Sequence, residues 1–209
     1  MSCNSTVQSW CGECWVAPPP QTNVKIRVTY LDATPDFVVP LDGTTRVMQA
    51  DVRLAVENYD VTLIDKLIIG DGMINFENQS FNIYVIPELE FFNSDIEFPN
   101  TVERFSDYCF SYLTNFNKIL SVPASVTFIN KETFNTLYVY NQDMVFEHID
   151  TIPTFYYGTI WTDWKNYYPA RITTPNSTKT NSEWKSAMAP AYQSGDIESI
   201  NGVLWNDIP

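Results

Sequence analysis

Apolar and polar residues alternate along many short stretches of the chain, the pattern typical of strands with one buried face. The clearest stretch is 24–30, and Asp42-Gly43 predicts a tight turn farther along the chain. Further strands are predicted at 46–57, 61–69, 81–86, 125–129, 137–140, 145–149 and 155–164. We therefore expect a mainly β protein, with a sandwich or barrel-like domain.

One segment, 101–120, has a helical rather than a strand-like period. Asn100 and Glu103 have the spacing of a capping box, and Pro123 blocks continuation beyond the end. Apolar side chains recur there at every third or fourth position: Val102, Phe105, Cys109, Tyr112, Phe116 and Ile119. The pattern predicts one long amphipathic helix between two blocks of strands. We find no internal repeat.

The two ends of the chain differ in composition from the middle. Residues 1–23 contain three consecutive prolines, which favour a stiff, extended conformation. Residues 165–209 are rich in Ser, Thr, Asn and Pro, with a short helix predicted to open at 180–183 and to turn Trp184 and Met188 inward. We predict an N-terminal arm at 1–23, a β-rich domain with the inserted helix at 24–164, and a C-terminal arm at 165–209.

The chain is strongly acidic, with 25 Asp and Glu against 12 Lys and Arg and a net charge of −13. Binding to phosphates needs clustered cations, so direct binding to nucleic acid is not expected. No apolar run reaches the length of a membrane span. Between Lys66 and Arg104 lie seven carboxylates and no cation, which predicts either a solvated surface or a face that meets a basic partner or a cation.

Two cysteines near the N-terminus form the string Trp-Cys-Gly-Glu-Cys-Trp at 10–15, which resembles the redox motif of the thioredoxin family. The resemblance implies a thiolate at the start of a helix that follows a buried strand, and the short stretch before Trp10 cannot supply that context. Cys3, Cys11 and Cys14 are alternatively candidate zinc ligands, with Cys109 or His148 as the fourth. A disulfide from Cys3 or three free thiols also fit the sequence, and no other cofactor is expected.

Candidate catalytic residues are few. His148 is the only histidine, and its predicted strand position favours a solvent-facing side chain. Glu88 and Glu90 flank Leu89 and form the type of pair that glycosidases use, although any acidic strand contains such pairs. We therefore expect no enzymatic activity.

Tryptophans are the strongest candidates for contacts with partners, because aromatic side chains dominate binding energy at interfaces. Trp10 and Trp15 lie in the predicted N-terminal arm, and Trp184 and Trp205 in the C-terminal arm. The aromatic cluster at 155–164, which contains Trp161 and Trp164, fits either a buried sheet or an exposed strip for a protein or glycan partner.

In composition and in the order of its predicted elements, the whole chain resembles structural proteins of tailed-phage virions, of the neck and head–tail ring type. It is acidic, contains 18 Asn, 20 Thr and 12 Tyr, and combines a β-rich middle with two arms. The resemblance implies a non-enzymatic subunit of a ring that contacts copies of itself and other virion proteins. The stretch from Met1 to Pro20 does not resemble a signal peptide, so we expect synthesis in the host cytoplasm and a place in the virion. The alternative is a receptor- or glycan-binding module of a tail or fibre.

Overall fold

Short strands and tight turns make up most of the protein, together with two α-helices in the described residues. The computed structural model describes residues 24–57, 59–137, 139–156, 170–191 and 197–209. The strands are β1 (Val24–Tyr30), β2 (Phe37–Pro40), β3 (Arg46–Val47), β4 (Ile64–Ile69), β5 (Asn75–Phe76), β6 (Asp95–Glu97), β7 (Arg104–Phe105), β8 (Leu120–Val122), β9 (Phe128–Ile129), β10 (Asp143–Phe146), β11 (Thr154–Phe155), β12 (Ala170–Thr173), β13 (Ile197–Ile200) and β14 (Val203–Leu204). The helices are α1 (Gln49–Val56) and α2 (Asn181–Met188), and 3₁₀ helices lie at Val61–Leu63, Pro87–Phe91, Ala189–Ala191 and Trp205–Asp207. The expected β-rich character is confirmed.

The order of the strands shows that the chain winds as a solenoid, and we call one complete turn of this winding a coil. One sheet has the order β11-β9-β7-β5-β3, and every pair in it is parallel. The remaining strands form two further sheets, β2-β1-β4-β6 and β14-β13-β12-β10-β8, and β4, β6, β8, β10 and β12 alternate in sequence with the strands of the first sheet. Neighbouring parallel strands are therefore one full coil apart, and side-chain hydrogen bonds between adjacent coils join residues separated by 24 to 29 positions in sequence. The expected sandwich or barrel is not confirmed, and the expected lack of a repeat was wrong, since successive coils stack on each other.

The core consists of equivalent side chains stacked from coil to coil. Phe92, Phe116 and Tyr140 occupy the same place in successive coils, and their rings stack with centroids 6.1 Å and 5.9 Å apart and interplanar angles of 2° and 10°. Phe81, Phe110 and Phe134 form a second ladder, with centroids 5.2 Å and 6.0 Å apart. Leucines, isoleucines and methionine at two other inward places are buried in the same way: Leu89, Leu113, Leu137, Ile96, Leu120, Met144, Ile172 and Ile200. Each coil thus buries its apolar residues only by stacking on its neighbours.

Polar side chains stack in the same way at a corner of the coil. The Asn93 side-chain carbonyl accepts a hydrogen bond from the Asn117 backbone N–H at 2.8 Å. Asn117 repeats this bond to the Asn141 N–H at 2.9 Å, with the same separation along the chain. These asparagines satisfy backbone donors that the turns between strands leave unpaired, so they fix the register of one coil on the next.

The predicted helix at 101–120 is not formed. The segment contains β7, a series of turns and the first residue of β8, with Tyr108 and Tyr112 at φ of 58° and 64°. A left-handed residue of this type interrupts an α-helix, and the same conformation recurs one coil away at Glu132 and Thr136. Four of the six apolar residues of the predicted stripe are turned inward by the coil, at nearly helical intervals: Val102, Phe105, Cys109 and Phe116. Ile119 is exposed and Tyr112 is partly buried. The predicted strand at 81–86 lies in turns, and the described residues of the predicted strand at 137–140 are not extended in a sheet.

The first coil contains a helix where the alternation at 46–57 predicts a strand. Only β3 is extended, and α1 follows it because Asp51 accepts a hydrogen bond from the Met48 N–H at 2.8 Å at the start of the helix. Asp51 also binds the ammonium of Lys25, which is fully buried, at 3.0 Å, and Asp42 binds it at 2.8 Å. The Lys25 ammonium thereby ties β1 to the turn before β3 and to α1.

The antiparallel strand β1 covers the first coil by pairing with β4. The approach is close at Gly70, whose N–H donates to the Lys25 carbonyl at 2.8 Å. A Cβ atom at this position would lie 1.7 Å from the Val24 carbonyl oxygen, so only glycine fits. The β1–β2 hairpin therefore forms the N-terminal end of the described solenoid.

Residues 170–191 and 197–209 fold onto the solenoid, in the region predicted as an extended arm. β12 and β13 continue the sheet of β8 and β10 with parallel pairing, and β14 ends it as an antiparallel hairpin. Helix α2 begins at a capping box formed by Thr180 and Glu183 and turns Trp184 and Met188 inward, as predicted. No helix of the described residues is long and apolar enough to span a membrane.

Candidate binding surface

The outer face of the sheet of β3, β5, β7, β9 and β11 presents a continuous row of side chains, one from each strand. Each strand contributes two residues, of which the second is buried. The first residues are in register across the sheet and face outward: Arg46, Asn75, Arg104, Phe128 and Thr154. Because side chains alternate across a strand, five coils present one straight row of side chains. We call this row, with Glu77 and Tyr156, the ladder face.

Three side chains of the ladder face form a cation–aromatic cluster. The Arg104 guanidinium carbon lies 4.5 Å from the centroid of the Phe128 ring. The Tyr156 ring follows, 6.2 Å from Phe128 and tilted by 46°, and Tyr156 is 52 % exposed. Within the described part of the chain no carboxylate lies within ion-pair distance of Arg104, so its donors are free for a ligand.

At the other end of the ladder face the charges are paired. Arg46 lies 3.2 Å from the Glu77 carboxylate, and both side chains are well exposed to water. Such a pair contributes at most about 1 kcal/mol to stability. The free Arg104 cation and the two aromatic rings therefore make the β7–β11 end the stronger candidate for recognition.

A groove of about 540 Å³ lies beside the ladder face, formed by the residues that precede β5, β7 and β9. Its lining includes Gly72, Asn100, Thr101, Glu103, Ser125 and Thr127. The hydroxyls of Thr101 and Ser125 donate to the backbone carbonyls of Met73 and Val102, at 2.9 Å and 2.7 Å. Their protons are thus used within the protein, while lone pairs of Ser125 and the Glu103 carboxylate remain to accept hydrogen bonds. The groove offers acceptors, and the adjacent cluster offers a cation and aromatic faces.

His148 is buried, at 1 % exposure, and the prediction that it faces solvent was wrong. Its Nε2 lies 2.7 Å from the Val126 carbonyl oxygen, which makes Nε2 the protonated nitrogen, and Nδ1 is buried with no hydrogen-bond partner. Burial lowers the pKa of His148 from 6.5 because the charged form loses its hydration, and this effect outweighs the Val126 carbonyl and Glu147, which favour the cation. The imidazole packs against Phe146 and Trp184. It is a part of the core that joins β10 to α2.

The two predicted tryptophan anchors of the C-terminal segment are also core residues. Trp184 is fully buried and Trp205 is 6 % exposed within the single chain. The Trp184 indole N–H donates to Ser177 Oγ at 3.2 Å, and the Lys185 ammonium lies 5.7 Å from the Trp205 ring centroid. Both indoles hold the C-terminal end of the solenoid together, so neither presents a free face to a partner.

Of the remaining predicted site residues, the two glutamates are exposed, one cysteine is buried, and the others lie outside the described residues. Glu88 and Glu90 lie on the 3₁₀ helix Pro87–Phe91, where both are exposed and flank the buried Leu89. Cys109 is a buried free thiol, and burial raises its pKa well above the usual range. The other residues of the sequence predictions lie outside the described residues: Cys3, Cys11, Cys14, Trp10, Trp15, Trp161 and Trp164. Within the described ranges no three His, Cys, Asp or Glu side chains are grouped to hold a metal ion.

Comparisons with known proteins give no relative for this chain. No family model matches it, and no curated protein and no solved structure matches it either.

Proposed function

We propose that the protein is a non-enzymatic recognition module that binds its ligand on the β7–β11 end of the ladder face. The observation that supports this proposal is the cluster of Arg104, Phe128 and Tyr156, which is aligned by strand register beside a groove that contains hydrogen-bond acceptors. Solenoid proteins use the extended surfaces of their stacked repeats for binding. The proposal corresponds to the receptor- or glycan-binding alternative from the sequence.

A glycan is the ligand class that these groups fit best. The face of a pyranose ring is apolar and stacks on an aromatic side chain, while its hydroxyls need hydrogen-bond partners around the rim. Phe128 and Tyr156 offer two ring faces, and the groove offers the Glu103 carboxylate and the Ser125 oxygen as acceptors. Arg104 adds a cation, which favours glycans that carry a carboxylate or sulfate group.

A glycan array probed with the labelled protein tests this proposal. We expect binding to a subset of acidic glycans, and at least a tenfold loss of signal for the double variant Phe128→Ser/Tyr156→Ser. Ile149→Ser is the matched control, because Ile149 is as exposed as Tyr156 but lies off the ladder face. The absence of any signal, or equal signals from the double variant and the parent, would refute the proposal.

The place of the module in a virion, as a neck or tail connector that forms a ring, remains a prediction. Its support is the composition of the chain and the proline-rich N-terminal arm predicted at 1–23. The mass of the native protein in solution is the direct test. A closed ring of defined copy number supports the connector role, and a stable monomer argues against it.

A further inference from the structure

A second surface combines exposed apolar side chains with unpaired carboxylates, on the side of the first coils that carries α1 and the 3₁₀ helices. Tyr84 and Phe91 are 76 % and 58 % exposed, which is high for aromatic side chains of this size. Leu63 belongs to the neighbouring coil, where the 3₁₀ helix Val61–Leu63 packs beside Pro87–Phe91. We call this surface, defined by Leu63, Tyr84, Phe91 and the carboxylates around them, the acidic aromatic face.

The backbone under this face is held firmly by three neighbouring segments. The Arg53 guanidinium of α1 donates to the Val85 carbonyl. From the following coil, the Asn115 amide donates to the Glu90 carbonyl at 2.6 Å. The Tyr84 ring meets the Tyr112 ring edge-on, with centroids 4.6 Å apart. The exposed rings are therefore presented from a fixed scaffold, which lowers the entropy cost of binding.

A groove of about 360 Å³ opens beside Phe91 on this face. It is lined by Val61, Thr62, Phe91, Asn93, Ser94 and Asn115, so three successive coils contribute to it. Phe91 forms one wall and remains largely open to water. A groove with one aromatic wall and a polar floor fits an apolar side chain that an incoming segment inserts.

The charges around the groove determine which segment fits. Glu57, Asp60, Glu88 and Glu90 are all exposed, and none of them has an ion pair within the described residues. The cations nearest in sequence are Arg53, whose guanidinium is bound to the Val85 carbonyl, and Lys66, whose ammonium is paired with Glu97 at 2.6 Å, so neither neutralises these four carboxylates. The face therefore has a negative potential, which attracts a cationic partner and repels both an anionic membrane and a second copy of this acidic chain.

We propose that the acidic aromatic face binds a basic segment of a partner protein, which inserts an apolar side chain beside Phe91. The seven-carboxylate run found in the sequence is then partly a docking surface, because Glu88 and Glu90 belong to it. This inference does not depend on the proposed glycan site, since the two surfaces share no residues.

The direct test uses synthetic peptides of equal length as probes. One amphipathic peptide contains Lys, Leu and Ala, a second has Ser in place of each Leu, and a third has Glu in place of each Lys. Fluorescence anisotropy measures their dissociation constants for the full chain at about 0.1 M salt, where charges farther apart than about 10 Å are screened. We expect the Lys/Leu/Ala peptide to bind at least tenfold more tightly than the Lys/Ser/Ala peptide, and the Glu peptide not to bind.

Two pairs of charge reversals separate a local site from the general attraction of an acidic protein. Glu88→Lys/Glu90→Lys should weaken peptide binding at least tenfold. The matched control Glu198→Lys/Asp207→Lys makes the same change in net charge at exposed residues of the C-terminal end, and should change binding less than threefold. Equal losses from both pairs would refute a local site, and so would the absence of binding by the parent protein.

The contribution of the exposed aromatic side chains to peptide binding is tested by separate variants. Phe91→Ser and Tyr84→Ser should each weaken binding of the Lys/Leu/Ala peptide at least fivefold, with circular dichroism spectra like that of the parent. Phe128→Ser/Tyr156→Ser should leave peptide binding unchanged, so failure of the glycan proposal and failure of this one are distinguishable. A parent dimer that Phe91→Ser dissociates would overturn the assignment, because the occupant of the face would then be a second copy.

Discussion

Phe116 is the central ring of the three-ring stack, and its replacement gives the most direct test of the solenoid. The residue is 1 % exposed and stacks on Phe92 from the coil before and on Tyr140 from the coil after. Truncation of a buried phenylalanine to alanine costs about 3–5 kcal/mol, of which each ring pair accounts for about 0.5–1.5 kcal/mol. Because two coils lose a partner at once, we expect Phe116→Ala to lower the free energy of unfolding by about 4 kcal/mol.

Urea denaturation followed by circular dichroism measures this change. Phe91→Ala is the control, since the same side chain is removed from an exposed position and the free energy of unfolding should change by less than about 0.5 kcal/mol. A loss of cooperativity between coils would lower the slope of the denaturation curve as well as its midpoint. A cost below about 1 kcal/mol for Phe116→Ala would contradict the burial of this ring.

A double-mutant cycle with Phe116→Leu and Tyr140→Leu tests the stacking itself. In the solenoid the two rings touch across a coil boundary, so the cycle should give a coupling energy of about 0.5–1.5 kcal/mol. The helix predicted at 101–120 would give Phe116 no reason to contact the ring of Tyr140, which lies far beyond the end of that helix. A coupling energy of zero would therefore refute the stacked coils.

Three further predictions concern single groups. Gln79 has φ of 58°, so Gln79→Gly should relieve left-handed strain and raise the free energy of unfolding by about 0.5–1 kcal/mol, and a lower urea midpoint would contradict this. The pKa of His148 is lowered in the folded state, so the unfolded chain takes up a proton first as the pH falls below 6.5, and stability should drop there by up to about 1.4 kcal/mol per pH unit. His148→Gln should lose that part of the slope in urea titrations at a series of pH values below neutral, and an unchanged slope would argue against the buried neutral imidazole. Lys25→Met should cost about 3–5 kcal/mol in urea denaturation because it leaves Asp51 buried without its cation, and adding Asp51→Asn should recover at least half of the loss.

The sequence predicts correctly those parts of the fold that depend on contacts between residues close together in the chain. The alternation at 24–30 corresponds to β1, with Ile26 and Val28 buried. The spacing of Thr180 and Glu183 corresponds to the capping box of α2, and both residues predicted to turn inward do so. In each case the interaction that decides the structure joins residues that are close in sequence.

The long helix was predicted at 101–120 because inward residues of a coil and of an amphipathic helix have similar intervals. The predicted stripe passed through Cys109, Tyr112 and Phe116. The inward residues of the coil are Phe110, Leu113 and Phe116, which recur at every third position and so resemble one face of a helix as well. The information that separates the two structures lies one coil farther along the chain, where the same intervals are repeated by Phe134, Leu137 and Tyr140. The preceding coil obscures this period, because the stretch from Phe81 to Leu89 is longer than the corresponding stretch from Phe110 to Leu113.

The ladder face was not predictable from local pattern, because strand register alone brings its residues together. Arg104 and Phe128 carry no motif, and their contact follows from the pairing of β7 with β9. The aromatic cluster at 155–164 indicated the region, yet its first two residues face opposite ways: Phe155 is buried and Tyr156 is exposed. The position of His148 depended likewise on a distant partner, since Trp184 covers it from another element.

The asparagine corner, with its constant step from Asn93 to Asn117 and on to Asn141, also restricts how a chain of this design can change length. Removal of residues 105–128 would join Arg104 to Ile129 and set Asn93 beneath Asn141, Phe92 beneath Tyr140 and Phe81 beneath Phe134, with every inward position kept. A slightly longer or shorter deletion would turn core side chains toward water throughout the coil that follows. Insertions and deletions in such a protein are therefore tolerated in two forms only, as loops that bulge from a corner or as whole coils.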